Sequence, residues 1–288
     1  ITEAVISTEV HNPQTTVMLA SFDSLEQLQN AVVELVSLKD LPSALEIIDG
    51  RLLEEVHALN PNQLKEVVQP PFPLVTMLIE FDSPDRKVKK EAKHAEKILD
   101  KYAKDVQVAS DPEQQLMFWK VREATGTVIG HNDGQQTSLP IIGDGAVPPD
   151  RLREYMEGLS AILESSSIKT PIWGHAGQAT LIAQPKLNLS QVGDRQKAFK
   201  LMNEHFKLVS RLGGTVSASA GDGRLRTPYL EGLYGVELYA LFLKVKNIFD
   251  PYGTMNPGVK FGTSQDDLKA MVRPSYSYDN IYDHLPRS

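Results

Sequence analysis

Lys244-Val245-Lys246-Asn247-Ile248-Phe249-Asp250-Pro251-Tyr252-Gly253-Thr254-Met255-Asn256-Pro257-Gly258 reads as the end of a helix running into a tight turn. Pro251 and Pro257 have no backbone N–H with which to continue a helix, and Gly253 and Gly258 admit backbone angles that other residues resist. Residues 231–249 form the last clear helix before this turn. Beyond it, a tail carrying Tyr276, Tyr278, Tyr282 and His284 is too polar for a core and is expected to wrap the surface or a partner.

Working back towards the N-terminus, residues 15–21 read as a strand, and Ser24 is placed to N-cap a helix through about Leu38. A strand from Ala44 to Ile48 and a helix from about Gly50 to Leu59 follow, and Pro70-Pro71-Phe72-Pro73 marks a break. Leu74 to Phe81 is a strongly apolar strand, after which Ser83-Pro84-Asp85 opens a charged helix to about Asp105. A helix from Asp111 to near Gly130 carries Met117, Phe118, Trp119 and Val121, and a polar loop spans His131 to Gln136. Leu139 to Ile142 resumes a strand, and Pro148-Pro149-Asp150 starts the helix Arg151 to Ser165. Thr170 to Gly174 and Thr180 to Ala183 read as paired strands, and an amphipathic helix from about Gln191 to Leu212 is stopped by Gly213-Gly214. The order strand, helix, strand, then strand, helix, strand predicts an α+β fold. Ferredoxin-like half-units would share an antiparallel sheet with helices packed on one face, followed by a helical C-terminal segment.

With 288 residues, 41% of them hydrophobic, the chain can bury a sizeable core. A net charge of −7 argues against a nucleic-acid or anionic-membrane surface, because phosphate contacts need clustered Lys and Arg. The absence of cysteine excludes disulfides, iron–sulfur clusters, thiolate zinc sites and catalytic thiols, and suits a reducing cytoplasm. No apolar run reaches the roughly 18 residues of a membrane span. Ile1-Thr2-Glu3-Ala4-Val5-Ile6-Ser7 has neither an initiator Met nor a basic leader, so the chain reads as a fragment.

Three groups fall where side chains are exposed on a rigid frame. His175 lies between Gly174 and Ala176-Gly177 just after an apolar strand, where its imidazole can approach a ligand or be satisfied by a backbone carbonyl. Arg122, in Trp119-Lys120-Val121-Arg122-Glu123, can offer a planar fork to a carboxylate or form an ion pair with Glu123 or a nearby acid. Ser217, Ser219, Asp222, Arg224 and Arg226 form a Gly-rich loop whose amides could bind an anion or stay solvated.

These motifs carry a resemblance. The Phe249–Gly258 turn, Trp173-Gly174-His175-Ala176-Gly177 and Gly213-Gly214-Thr215-Val216-Ser217-Ala218 resemble, in order and spacing, the FAD-linked oxidase and dehydrogenase family that includes D-lactate dehydrogenase and the glycolate oxidase flavoprotein subunit. Trp119, Arg122 and Glu123 match its Trp-x-x-Arg-Glu element, and Asp144-Gly145-Ala146-Val147-Pro148 its Asp-x-x-Val-Pro element. The resemblance implies that Arg122 binds a substrate carboxylate and that the turn bearing Asn256 and Gly258 approaches the flavin. Where metal-dependent members read Gly-His-x-Gly-Asp-Gly-Asn-Leu-His, this chain reads Gly174-His175-Ala176-Gly177-Gln178-Ala179-Thr180-Leu181-Ile182. Ser219-Ala220-Gly221 replaces Glu-His-Gly. His175 alone survives of four expected ligand or base positions, so no metal is expected.

The resemblance therefore implies three segments. Residues 1–8 would close an upstream FAD-binding domain, 9–265 form the C-terminal substrate domain, and 266–288 the Tyr-rich tail. FAD would be held mainly by the upstream domain, and a CH–OH group, that of a 2-hydroxy acid, would be oxidised by hydride transfer. His175, Asp222 or His131 would act as base, with Gln184 and Thr180 lining the pocket beside Arg122. The alternatives are an alcohol or sugar oxidised without metal, and a degenerate scaffold subunit. A homo-oligomer or an electron-acceptor partner is compatible with all of these.

Overall fold

The computed structural model describes residues 3–8, 15–82, 85–109, 111–131 and 134–273, the side chains of 85 and 86 excepted. The helix start expected at Ser83-Pro84 and the Tyr-rich tail lie outside them. The chain forms two compact units, Ile1–Val128 with Trp173–Gly177, and Ile129–Ile172 with Gln178–Ser288.

In the first unit β1 (Thr16–Phe22) leads into α1 (Leu25–Val36), with the Ser24 side chain accepting from the Gln27 N–H. The spacing of Leu28, Ala31, Val32 and Leu35 gives α1 one apolar stripe, and all four are buried. β2 (Ala44–Asp49) passes into α2 (Gly50–Leu59), capped by Asp49 accepting from Leu52 N at 3.0 Å. β3 (Val75–Phe81) precedes α3 (Asp85–Tyr102). α3 ends before the expected Asp105, because Lys104 N–H donates to Ser21 and Asp105–Val108 become β4 beside β1.

The helix expected through to Gly130 is two helices. α4 (Pro112–Glu123) stops where the Thr125 hydroxyl donates to the Arg122 carbonyl, and α5 (Thr125–Gly130) follows. The chain continues through β5 (Thr137–Ser138), β6 (Ile142–Ala146), a 3-10 turn at Pro149–Arg151 and α6 (Leu152–Ser165). The strand expected at Leu139–Ile142 thus lies later, since Leu139 N–H is spent on the Pro185 carbonyl. β7 (Ile172–His175) supplies the last strand of the first unit. That unit's sheet is antiparallel throughout, in the order β4-β1-β3-β2-β7. Its core includes Val17, Met18, Phe22, Ile47, Ile48, Met77 and Ile79, all fully or almost fully buried.

In the second unit β8 (Thr180–Ala183) pairs antiparallel with β6 across an irregularity between Ile142 and Gly145, and β9 (Lys186–Leu187) pairs with β5. α7 (Val192–Arg211) buries Leu201, Met202, His205, Phe206 and Val209. Gly213 ends it at φ 74°, and Gly214 passes so close to β6 that a Cβ there would sit 2.2 Å from the Ala146 carbonyl oxygen. The helix expected over 231–249 is divided at Gly235, φ 79°, into α8 (Thr227–Tyr234) and α9 (Val236–Phe249), and α10 (Gln265–Met271) follows. α9 buries none of its residues in this chain, although Leu238, Leu241, Phe242, Val245, Ile248 and Phe249 recur at helical spacing on one face. Among the described residues no helix is long and apolar enough to cross a membrane.

Candidate functional site

β2 reads Ala-Leu-Glu-Ile-Ile-Asp, so Glu46 is an acid set inside an apolar run. Antiparallel pairing places Glu46 directly opposite His175 on β7. α4 lies against the same side of the sheet. Trp119 Nε1 donates to Glu80 Oε2 at 2.9 Å, and one helical turn later Arg122 Nε donates to Glu46 Oε2 at 2.7 Å. The other oxygen, Glu46 Oε1, lies 2.6 Å from His175 Nδ1. Arg122 Nη1 also reaches Thr125 Oγ1 at 3.2 Å. One carboxylate, only 8% exposed, therefore joins the two side chains expected to bind and activate a substrate, while 42% of the His175 side chain is open to solvent. Arg122 pairs with Glu46 rather than Glu123, which is the ion pair with a nearby acid that its sequence also allowed, and His175 meets a carboxylate rather than a backbone carbonyl.

The electrostatics follow from that bridge. The hydrogen bond to Glu46 raises the His175 pKa above its ordinary value, against the opposing effects of partial burial and of Arg122. Burial pushes the Glu46 carboxyl up, but the hydrogen bonds from His175 and Arg122 outweigh it and hold the group below the usual carboxylate range.

The Gly-rich loop is built around a second buried acid. Asp144, at φ 60° and 5% exposed, accepts through Oδ1 from Ser219 N at 2.5 Å, Ala220 N at 2.9 Å and the Ser219 hydroxyl at 2.8 Å. Its Oδ2 takes the Arg226 guanidinium. The loop amides that could have bound an anion are thus occupied by the protein's own carboxylate. Burial raises the Asp144 pKa, and the Ser219, Ala220 and Arg226 contacts more than reverse that effect. Asp222 is also buried, with its two oxygens taken by the Ser217 hydroxyl and the Lys260 ammonium. These bonds outweigh its burial and keep it ionised, so its geometry is that of a tie between the loop and Lys260. Behind Gly145, Tyr155 Oη and His205 Nε2 lie 2.8 Å apart, and complete burial pushes His205 down to about 3, so it stays neutral.

The Phe249–Gly258 turn is anchored by Asp250, which accepts from Thr254 N at 2.8 Å, Met255 N at 2.9 Å and Lys246 Nζ at 2.5 Å. Asn256 stands exposed at φ 46°, and Gly258 has φ 80° with its carbonyl accepting from Thr227 Oγ1 at 3.2 Å. A Cβ at Gly258 would lie 2.7 Å from Thr263 Oγ1. Arg224 Nε donates to the neighbouring Pro257 carbonyl at 3.1 Å, so loop and turn hold each other. Thr180 is 2% exposed and its hydroxyl has no hydrogen-bond partner, Gln184 is half-buried, and His131 is exposed.

His175 and Arg122 thus meet through Glu46 in the first unit, whereas Asp222, Thr180, Gln184, Asn256 and Gly258 belong to the second. Sequence reasoning missed Glu46, whose one signal was an acid interrupting an apolar strand, and gave Asp144 no role beyond its motif. A groove of about 560 Å³ along α7, lined by Arg195, Phe199, Asn203, Lys207 and Lys269, contains none of these residues. Among the described residues no three His, Asp or Glu side chains converge to hold a metal ion.

Known proteins share this chain's pattern. The family described as FAD linked oxidases, C-terminal domain, matches residues 11–259. Glycolate oxidase subunit GlcD of Escherichia coli is 26% identical over 267 residues, covering 91% of this chain and 51% of that protein. D-lactate dehydrogenase of Archaeoglobus fulgidus is 29% identical over 259 residues, covering 90% of this chain and 54% of that one. The chain therefore spans about half the length of these curated relatives. Among solved structures, 4-ethylphenol oxidase from Gulosibacter chungangensis shares the fold with a TM-score of 0.64 at 10% identity, over 90% of this chain and 55% of that one.

Proposed function

The chain belongs to the FAD linked oxidases, C-terminal domain family, and on that premise we propose that it is the substrate-binding part of a flavoenzyme that oxidises the CH–OH group of a 2-hydroxy acid. The observation that carries this reading is the juxtaposition of Arg122 and His175 on Glu46. A guanidinium recognises a carboxylate by paired hydrogen bonds, and an imidazole beside an ionised acid accepts a proton well. A 2-hydroxy acid offers both a carboxylate and a hydroxyl proton. Two of the relatives bear the names of enzymes acting on such acids, glycolate and D-lactate.

Arg122 would hold the substrate carboxylate, and His175 would take the hydroxyl proton on Nε2. Bound FAD supplies the acceptor for the hydride leaving the substrate carbon. The part of the full-length protein that holds FAD is expected upstream, as the protein's own FAD-binding domain. The exposed Asn256 and the Gly258 backbone, held rigid by Asp250, Arg224 and Thr227, fit the role of residues facing the flavin. The donor sets at Glu46 and Asp144 are each closed by Arg and by protein N–H or O–H groups, which supports chemistry without a protein-bound metal. The β4-β1-β3-β2 order with its intervening helices supports the ferredoxin-like reading of the first unit.

Arg122→Ala in the full-length protein tests the assignment. KM for 2-hydroxy acids should rise roughly 10- to 100-fold, the worth of a charge-assisted hydrogen bond. An unchanged KM would remove Arg122 from the site.

A further inference from the structure

We propose that Glu46 is a positioning residue: it sets the tautomer of His175 so that Nε2 faces the substrate, and it turns Arg122 so that its terminal nitrogens, not its Nε edge, meet the substrate carboxylate. The inference rests on the functional reading of Arg122 and His175, and adds the residue that arranges both. An ionised carboxylate only accepts hydrogen bonds, so the 2.6 Å contact requires the proton on His175 Nδ1. Neutral His175 then carries its lone pair on Nε2. The same carboxylate receives Arg122 Nε at 2.7 Å, which occupies one edge of the guanidinium. Thr125 Oγ1 takes a further Nη1 proton at 3.2 Å, leaving the Nη1–Nη2 end as the edge still able to grip a carboxylate with two parallel bonds.

The scaffold makes the arrangement rigid. Glu46 and His175 are cross-strand partners on β2 and β7, Glu46 is buried, and Arg122 is held on α4 one turn from Trp119, itself bound to Glu80. The charged groups facing His175 are Glu46 from β2 and Arg122 from α4. A glutamine at position 46 would keep the shape but present an amide N–H₂ to one of two donors, so either that contact is lost or His175 takes the Nε2–H tautomer and accepts on Nδ1.

Nitrogen-15 NMR of the histidine- and arginine-labelled chain, at a pH where the imidazole is neutral, tests this directly. Wild type should show His175 as the Nδ1–H tautomer, with a slowly exchanging Arg122 Nε–H. Glu46→Gln and Glu46→Leu should shift His175 towards the Nε2–H tautomer and speed the Arg122 Nε–H exchange, with circular dichroism unchanged. An Nε2–H tautomer in wild type, or an unaltered tautomer in the folded variants, would overturn the proposal. If Glu46→Leu does not fold, the wild-type tautomer and Glu46→Gln still decide. In the full-length protein Glu46→Gln should also lower kcat at least about tenfold, as loss of a histidine's orienting acid does elsewhere. An Arg122→Ala protein with unchanged KM would defeat the functional reading while leaving the tautomer result standing, so the two failures are distinguishable.

Discussion

In the proposed site, His175 is the group on which the pH dependence should rest. Its pKa lies above the ordinary value of about 6.5 because Glu46 stabilises the imidazolium. The stability it contributes is complete below that value and is lost as the pH rises through the raised pKa. For Glu46 the sign is opposite. Its contribution is present above an ordinary carboxylate pKa of about 4.3 and disappears as the pH falls through its lowered value. A proton acceptor must start neutral, so kcat/KM should climb with pH to a plateau whose midpoint exceeds about 6.5. In Glu46→Gln that midpoint should fall, and a pH–rate profile identical to wild type would refute the coupling. Nothing in residues 171–179 announces an acid that approaches from β2, so the sequence alone did not show this partner. Asp144 makes a second residue-scale case. Asp144→Ala would leave Arg226 and two loop amides without their acceptor, and removing one partner of a buried pair costs roughly 3–5 kcal/mol. Urea unfolding should show that loss, whereas a change under about 0.5 kcal/mol would show that the loop is satisfied otherwise.

Elements were legible where periodicity and caps agreed. Ser24 and the apolar runs of β1 to β3 placed their strands and helices within a residue or two. Breaks set by single residues were not, since the Thr125 hydroxyl and the positive φ of Gly235 divide helices whose composition reads as continuous. At Gly214 the cause is packing. Gly214→Ala would drive a Cβ into the Ala146 carbonyl and part the Ala146–Thr215 bridge, costing about 1–3 kcal/mol by overpacking in a thermal or urea melt. An unchanged melt would mean that α7 can slide away at no cost. α9 gives the opposite expectation. Leu241 and Ile248 are 53% and 74% exposed, so Leu241→Ser with Ile248→Ser should alter the stability of this chain by no more than about 0.5 kcal/mol each. A larger loss would show that the apolar face is covered in solution.

On the scale of the molecule, the family was legible because its most specific motif, the Asp250-to-Gly258 turn, is a local structure that the chain must close with its own side chains. The bridge between Arg122 and His175 was not legible, because it depends on strand register and on a helix laid across it, and neither leaves a motif. Glu46 organises the candidate binding pair, and Asp144 fills the loop amides. This should remain an oxidising site for 2-hydroxy acids. The full-length protein, mixed anaerobically with glycolate, D-lactate and related 2-hydroxy acids, should show bleaching of the visible flavin absorbance with at least one of them, and Arg122→Ala should demand a higher concentration. Flavin that is bound yet stays oxidised with every such acid would contradict it.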